Sequence, residues 1–140
     1  MLTLEKILRR TPQKWLQNSE DCRVYKFKKI IDTEDKNPVV LAIVYSLYDS
    51  AGNRKSDPIQ HKCYIKGLNG KKTAIISSNV EMSCDCAAFM YWSEVALNRK
   101  DAAPIIFSNG EDPLVRNPKL TPFPCKHLVR LTLLILNKGM

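Results

Sequence analysis

The residues of this chain best suited to chemistry are its five cysteines, at 22, 63, 84, 86 and 125, and its two histidines, His61 and His127. Four of them form two tight pairs. Cys84 and Cys86 flank an aspartate in C-D-C, and Cys125 and His127 flank a lysine in C-K-H. In a reducing compartment such pairs point to a metal before a disulfide. Three thiolates and one imidazole suit zinc, which has no d-electron preference of geometry and is held by bonds of about 2.0–2.3 Å in a tetrahedron. The four ligands fill that tetrahedron, which marks a structural ion and leaves no open position for a substrate. The predicted metal site is therefore Cys84, Cys86, Cys125 and His127 around one structural Zn2+.

Each pair has a local reason to work as a claw. Residues i and i+2 of a strand end point the same way, so Cys84 and Cys86 can face one ion while Asp85 points out. Cys125 is expected in the first turn of a helix, with Pro124 beside it, where unpaired backbone N–H groups and the positive dipole end favour a thiolate. His61 and Cys63 form a third pair on an expected strand. It is either a swapped or incomplete second ligand set or, for Cys63 as for Cys22, a small apolar residue packed in the core. A Cys125–His127 nucleophile–base dyad is disfavoured, because residues two apart on a helix point about 200° from each other and no third group orients them. Glu34-Asp35 and Glu111-Asp112 sit among turn formers and read as surface charges, not as a two-metal site. The chain is accordingly expected not to be an enzyme and to have no small-molecule substrate.

The elements that must position these pairs follow from periodicity. Leu4, Ile7 and Leu8 fall at helical spacing, Thr11-Pro12 interrupts, and Trp15-Leu16 continues in a second short helix. Runs at 22–31, 38–48, 60–67 and 71–78 alternate or are β-branched and read as four strands of an antiparallel meander, joined by turn-like segments. Phe89, Trp92, Val95 and Ala96 predict a helix over 87–99. The following segment carries five of the chain's eight prolines, so it is expected to run irregularly, with one short strand at 105–107. Leu128, Leu131, Leu134 and Ile135 define a final helix that stops at Lys138-Gly139. The fold class is α+β: a small antiparallel meander with flanking helices and a ββα-like zinc-finger unit in the C-terminal half. A single domain over 1–140 is expected, with helix and strands in 1–71 and the zinc-binding unit, including a long insert at 87–124, in 72–140. Loss of the metal is expected to melt that second half.

At this point the residues resemble a known family. A strand, CxC, an insert, then P-C-K-H-L opening an apolar helix is similar to the SWIM zinc finger over about residues 72–137, with an insert longer than that family's usual one. The family occurs in transposases, chromatin-remodelling ATPases, recombination mediators and ubiquitin-pathway proteins, so the resemblance implies binding to DNA or to other proteins. The finger with its Asn-Gly and proline-rich insert also resembles small stand-alone proteins of tailed phages.

Composition sets the remaining bounds. Hydrophobic residues at 44% and charged ones at 26% are those of an ordinary globular chain. LVRLTLLIL is broken by Arg130 and Thr132 and falls short of the roughly 18–20 residues a membrane span needs. The start, MLTLEKILRR, lacks the pattern of a secretory signal. The expected location is therefore inside a cell, in cytoplasm, nucleoid or nucleus, or else in a virus particle, and no membrane is expected as partner. The formal charge of +8 admits a polyanion. Two placements for nucleic acid suggest themselves. One is a platform of Arg23, Tyr25, Phe27 and Lys29 on one face of the first strand; the other, which the sequence favours, is Lys126, Arg130, Lys119 and Arg116 around the finger. Nucleic acid, most simply DNA, is thus the leading partner, and a protein partner or larger assembly the alternative.

Overall fold

Four consecutive strands pair with their sequence neighbours. In a computed structural model that describes residues 1–49 and 51–140, the strands β1 (Cys22–Ile31), β2 (Pro38–Ser46), β3 (His61–Gly67) and β4 (Val80–Cys84) form one antiparallel sheet in the order β1-β2-β3-β4. The meander of the sequence reading is therefore present, in an α+β chain. Helices α1 (Leu4–Arg10) and α2 (Gln13–Asn18) precede it. A π-turn (Phe89–Ser93) running into the short helix α3 (Glu94–Asn98), a long irregular segment, and helix α4 (Lys126–Lys138) follow it.

Alternation in β2 decides which face is the core. Val40, Ala42 and Val44 are buried while Leu41, Ile43 and Tyr45 between them are only half-buried, the period-2 pattern of a sheet covered mainly on one side. The buried row continues through Ile65 and Met82 on β3 and β4. It packs with Leu128, Leu131 and Ile135 of α4 and with Leu4 and Ile7 of α1 in one continuous cluster. That cluster joins residues from both 1–71 and 72–140. The spacing of the apolar residues thus directs α4 across the sheet, and Gly139 ends the helix in the left-handed conformation (φ 72°) that favours glycine. Beyond it, the carbonyl of Met140 accepts from Ile75 N–H at 2.8 Å, which ties the far end of α4 down.

Four expectations are corrected. First, 71–78 is not a strand: Ile75–Ser77 is a 3-10 turn, and β4 begins at Val80. Hydroxyls drive this, since Thr73 Oγ1 donates to Asn69 O and Ser78 Oγ to Ala74 O, local bonds that offer the backbone an alternative to a ladder. Second, no strand forms at 105–107, because Phe107 and Ser108 donate their N–H groups to the buried Glu94 carboxylate at 2.8–3.1 Å. Third, α4 begins at Lys126, so Cys125 is its N-cap with extended backbone (φ −70°, ψ 168°) and Pro124 lies outside the helix. Fourth, the platform of Arg23, Tyr25, Phe27 and Lys29 does not exist. The register slips between Val24 and Lys26, a bulge at Tyr25, and an extra residue reverses every later side chain. Phe27 is therefore opposite Ala42 on the covered face, under Lys138 Nζ at 5.5 Å from its ring. Lys26 and Lys28 instead share the other face with Leu41, Ile43 and Lys62.

The outer edge of β4 is covered: Val80 N–H donates to Leu2 O (2.8 Å) and Met82 N–H to Ala102 O (2.9 Å). Both anchors come from outside the sheet and hold the strand that ends at Cys84. Among the described residues no helix is long and apolar enough to cross a membrane.

Candidate metal centre

Strand β4 ends at Cys84, and the chain turns away with Cys86 two residues on, while α4 starts at Lys126 directly after Cys125. Because α4 packs across the sheet, its first turn meets the end of β4. The ligand atoms of Cys84, Cys86, Cys125 and His127 all lie within 4.8 Å of one another, and all four residues are buried. His127 presents Nδ1, which is 3.9 Å from Cys125 Sγ and 4.0 Å from Cys84 Sγ. In a regular tetrahedron with zinc-type bond lengths the ligand–ligand edges are about 3.5–3.8 Å, so inward movements of up to roughly half an ångström per atom would close the set on an ion. The two predicted pairs thus converge on a site that can hold a metal.

The donor chemistry fits the same conclusion. Three thiols in one buried space cannot ionise independently. Burial, then donation to Cys84 and Cys86, pushes the Cys125 thiol well above its ordinary value. Cys86 is driven the other way, held far below the ordinary thiol range by hydrogen bonds from Cys125 and Cys84. It also accepts from Phe89 N–H at 3.3 Å, a bond supplied by the π-turn. Burial lowers the His127 value and keeps its imidazole neutral, the form that ligates. A divalent cation is what would let all three sulfurs carry charge together.

Around the four ligands lies a supporting layer that the sequence reading only touched. Cys63 on β3 is opposite Cys84 in the sheet, and its thiol donates to Cys84 Sγ at 3.3 Å. It is buried in the core, as expected, and it also caps a ligand sulfur. His61 sits two residues before it, its ring centroid 4.5 Å from that of His127, tethered by its Nδ1 to Asp85 Oδ1 at 2.8 Å. Asp85 does point outward between its two cysteines, where it meets His61. His61 and Cys63 belong to the surroundings of the four-residue set and not to the set itself. Cys22 lies apart in the core, its thiol pushed up to about 11 by burial against the opposing pull of Lys126.

Compared with known proteins, the chain matches no family model, no curated protein and no solved structure.

Of the four basic residues expected near the finger, three come together. Lys126, Arg116 and Lys119 line one groove of about 680 Å³ beside the start of α4, with Lys14 as a fourth cation. Arg130 does not line it: it lies one turn along α4, close enough to Cys22 to act on its thiol. The groove is also lined by Trp15, Trp92, Tyr48 and Phe123, and by the carboxylates of Asp21 and Asp49. Trp15 meets Trp92 edge-to-face, with centroids 5.6 Å apart and planes at 67°, and Phe123 at the same distance. Nothing in the sequence links Lys14 and Trp15 to Trp92 and Phe123. The packing of α2 beside α4, with Trp15 against Trp92 of the π-turn and against Phe123, brings these four residues to one groove.

Proposed function

We propose that this chain is a non-catalytic module, stapled by one zinc ion, that binds nucleic acid beside the metal. Zinc is the reading favoured by three sulfurs and one imidazole in a closed four-ligand set. The order of the ligands, with CxC after a strand and CxH at a helix start, supports a SWIM-like finger. One observation carries the partner: Arg116, Lys119 and Lys126 of one stretch converge with Lys14, distant in sequence, on a single groove walled by aromatic rings. Fixed cations suit phosphates, and aromatic faces suit bases. The ion cancels most of the thiolate charge, leaving the site at a formal −1 that does not offset the cations around it.

The test is the salt dependence of binding, measured by fluorescence anisotropy with labelled DNA. Four phosphate contacts give a log–log slope of about −3.6 on duplex and about −2.8 on single strands. The double charge reversal Arg116→Glu/Lys119→Glu should weaken binding for all sequences alike and flatten the slope by about 2. Unchanged affinity in that variant counts against the groove.

A second reading, a contact surface for another protein or an assembly, has its own observation. The insert displays Leu114 at 73% and Val115 at 91% exposure, next to exposed Tyr91, Ile106 and Phe107. Association through that surface would hardly respond to salt, which separates the two readings.

A further inference from the structure

We infer that the groove beside α4 takes an unpaired nucleobase, so that the chain prefers single-stranded nucleic acid to duplex. This rests on the nucleic-acid reading above and specifies its ligand. A volume of about 680 Å³ lies in the range of small-molecule sites and is ample for a base with its sugar. The two indoles meet edge-to-face, an arrangement that does not cover ring faces as parallel stacking would, and both residues are only half-buried. Indole surface is therefore left for a third ring, with buried Phe123 behind it.

The wall is set in advance. Asn117 is buried and uses its amide fully within the protein: Nδ2 donates to Trp92 O (2.8 Å) and Thr121 O (2.9 Å), while Oδ1 accepts from Thr121 N–H (3.1 Å). Asn117 is thereby held against the Trp92 backbone, and Arg116 and Lys119, on either side of the Asn117-Pro118 pair, stay exposed for a strand's phosphates. Lys126 is held from the other side, its Nζ donating to Ser46 Oγ at 3.4 Å. Asp21 and Asp49 also line the groove and repel phosphate there, which favours placing a base and not the backbone beside them. In a duplex each base is stacked and paired, so its faces cannot reach an indole wall unless the strand opens. Stacking on aromatic side chains is, moreover, tolerant of sequence.

Trp15 and Trp92 are the chain's only tryptophans, so intrinsic emission reports on this groove alone. The full zinc-loaded chain is titrated with a mixed-sequence twelve-nucleotide single strand and with the matching duplex, following emission and the anisotropy of a labelled strand. Expected are quenching by the single strand and affinity about ten-fold above the duplex. Trp15→Leu should lose that preference while duplex binding persists, and Trp15→Phe, which keeps a ring, should retain it. Equal affinity for both forms with unchanged emission overturns this inference and leaves the nucleic-acid reading standing. Absence of binding to either form at about 50 mM salt, where phosphate contacts are strong, overturns both.

Discussion

Removing the metal should unfold the whole chain and not only its C-terminal half. The perturbation is chelation until no ion remains by elemental analysis. A structural zinc contributes about 10–16 kcal/mol, apparent, in small finger peptides at neutral pH, and a chain of this length has a total stability of about 7–20 kcal/mol. Against this, burying Leu128, Val129, Leu131 and Ile135 of α4 gives roughly 6–12 kcal/mol gross, before chain entropy opposes it. Without the ion, the first turn of α4 loses its tie to β4, and three buried thiols must share protons or reach water. The sequence alone suggested that only 72–140 would melt. Geometry argues otherwise, because α4 packs against all four strands and its side chains complete the one core cluster. Far-ultraviolet circular dichroism should therefore lose helix and strand signal at one midpoint, together with tryptophan emission, and one equivalent of Zn2+ should restore them. A metal-free sample that keeps its spectrum and melts within a few degrees of the loaded one would refute the reasoning, since each kcal/mol is worth about 2–4 °C at about this size. Two separated transitions would restore the two-part picture.

Three other outcomes check neighbouring parts of the structure. Cys84→Ala should abolish stoichiometric metal, whereas Cys63→Ala should keep one ion per chain with an unchanged cobalt-substituted spectrum and lose only about 1 kcal/mol by denaturant unfolding. Lys66 pairs with Asp32 and Asp35 at 3.0 and 2.8 Å, so both carboxyls titrate below their ordinary value of 3.8: Asp35 chiefly through Lys66, Asp32 first through the Glu34 N–H. Depressed values mean that their stabilising effect is present above pH 3.8 and is lost as pH falls below it; in Lys66→Ala, carbon-detected NMR should show Asp35 moving up further than Asp32. Glu94→Ala removes the carboxylate that serves Phe107 and Ser108 N–H, should cost about 1–3 kcal/mol, and should speed amide exchange at those two positions.

The Cys/His cluster was legible because it is local in sequence: Cys84 with Cys86 and Cys125 with His127 each carry their own spacing. The strands read at 22–31 and 38–48 were legible from their own alternation, the second ending two residues earlier, at Ser46. What failed depended on partners distant in sequence or on a single inserted residue. The alternation through β1 reads perfectly as one face until the bulge at Tyr25 reverses it, and nothing in CRVYKFKKII marks the slip. Ile75 and Ile76 look like strand, but the serine and threonine hydroxyls around them bond their own backbone. The 105–107 run is β-branched, yet its amides belong to Glu94. The groove walls come from four separated segments, so only three of its four cations were placed there and neither of its tryptophans.

The slip at Tyr25 has a further effect on how copies of this chain meet. β1 is an outermost strand, and a regular one would offer its unpaired amides and carbonyls to a neighbouring molecule's sheet. Here the local twist and kink of the extra residue, followed by the exposed ammonium groups of Lys26, Lys28 and Lys29, make continuous intermolecular ladders unfavourable along that side. With Leu2 and Ala102 bonded to Val80 and Met82 on the opposite side, both edges of the meander disfavour strand-by-strand addition of a second copy.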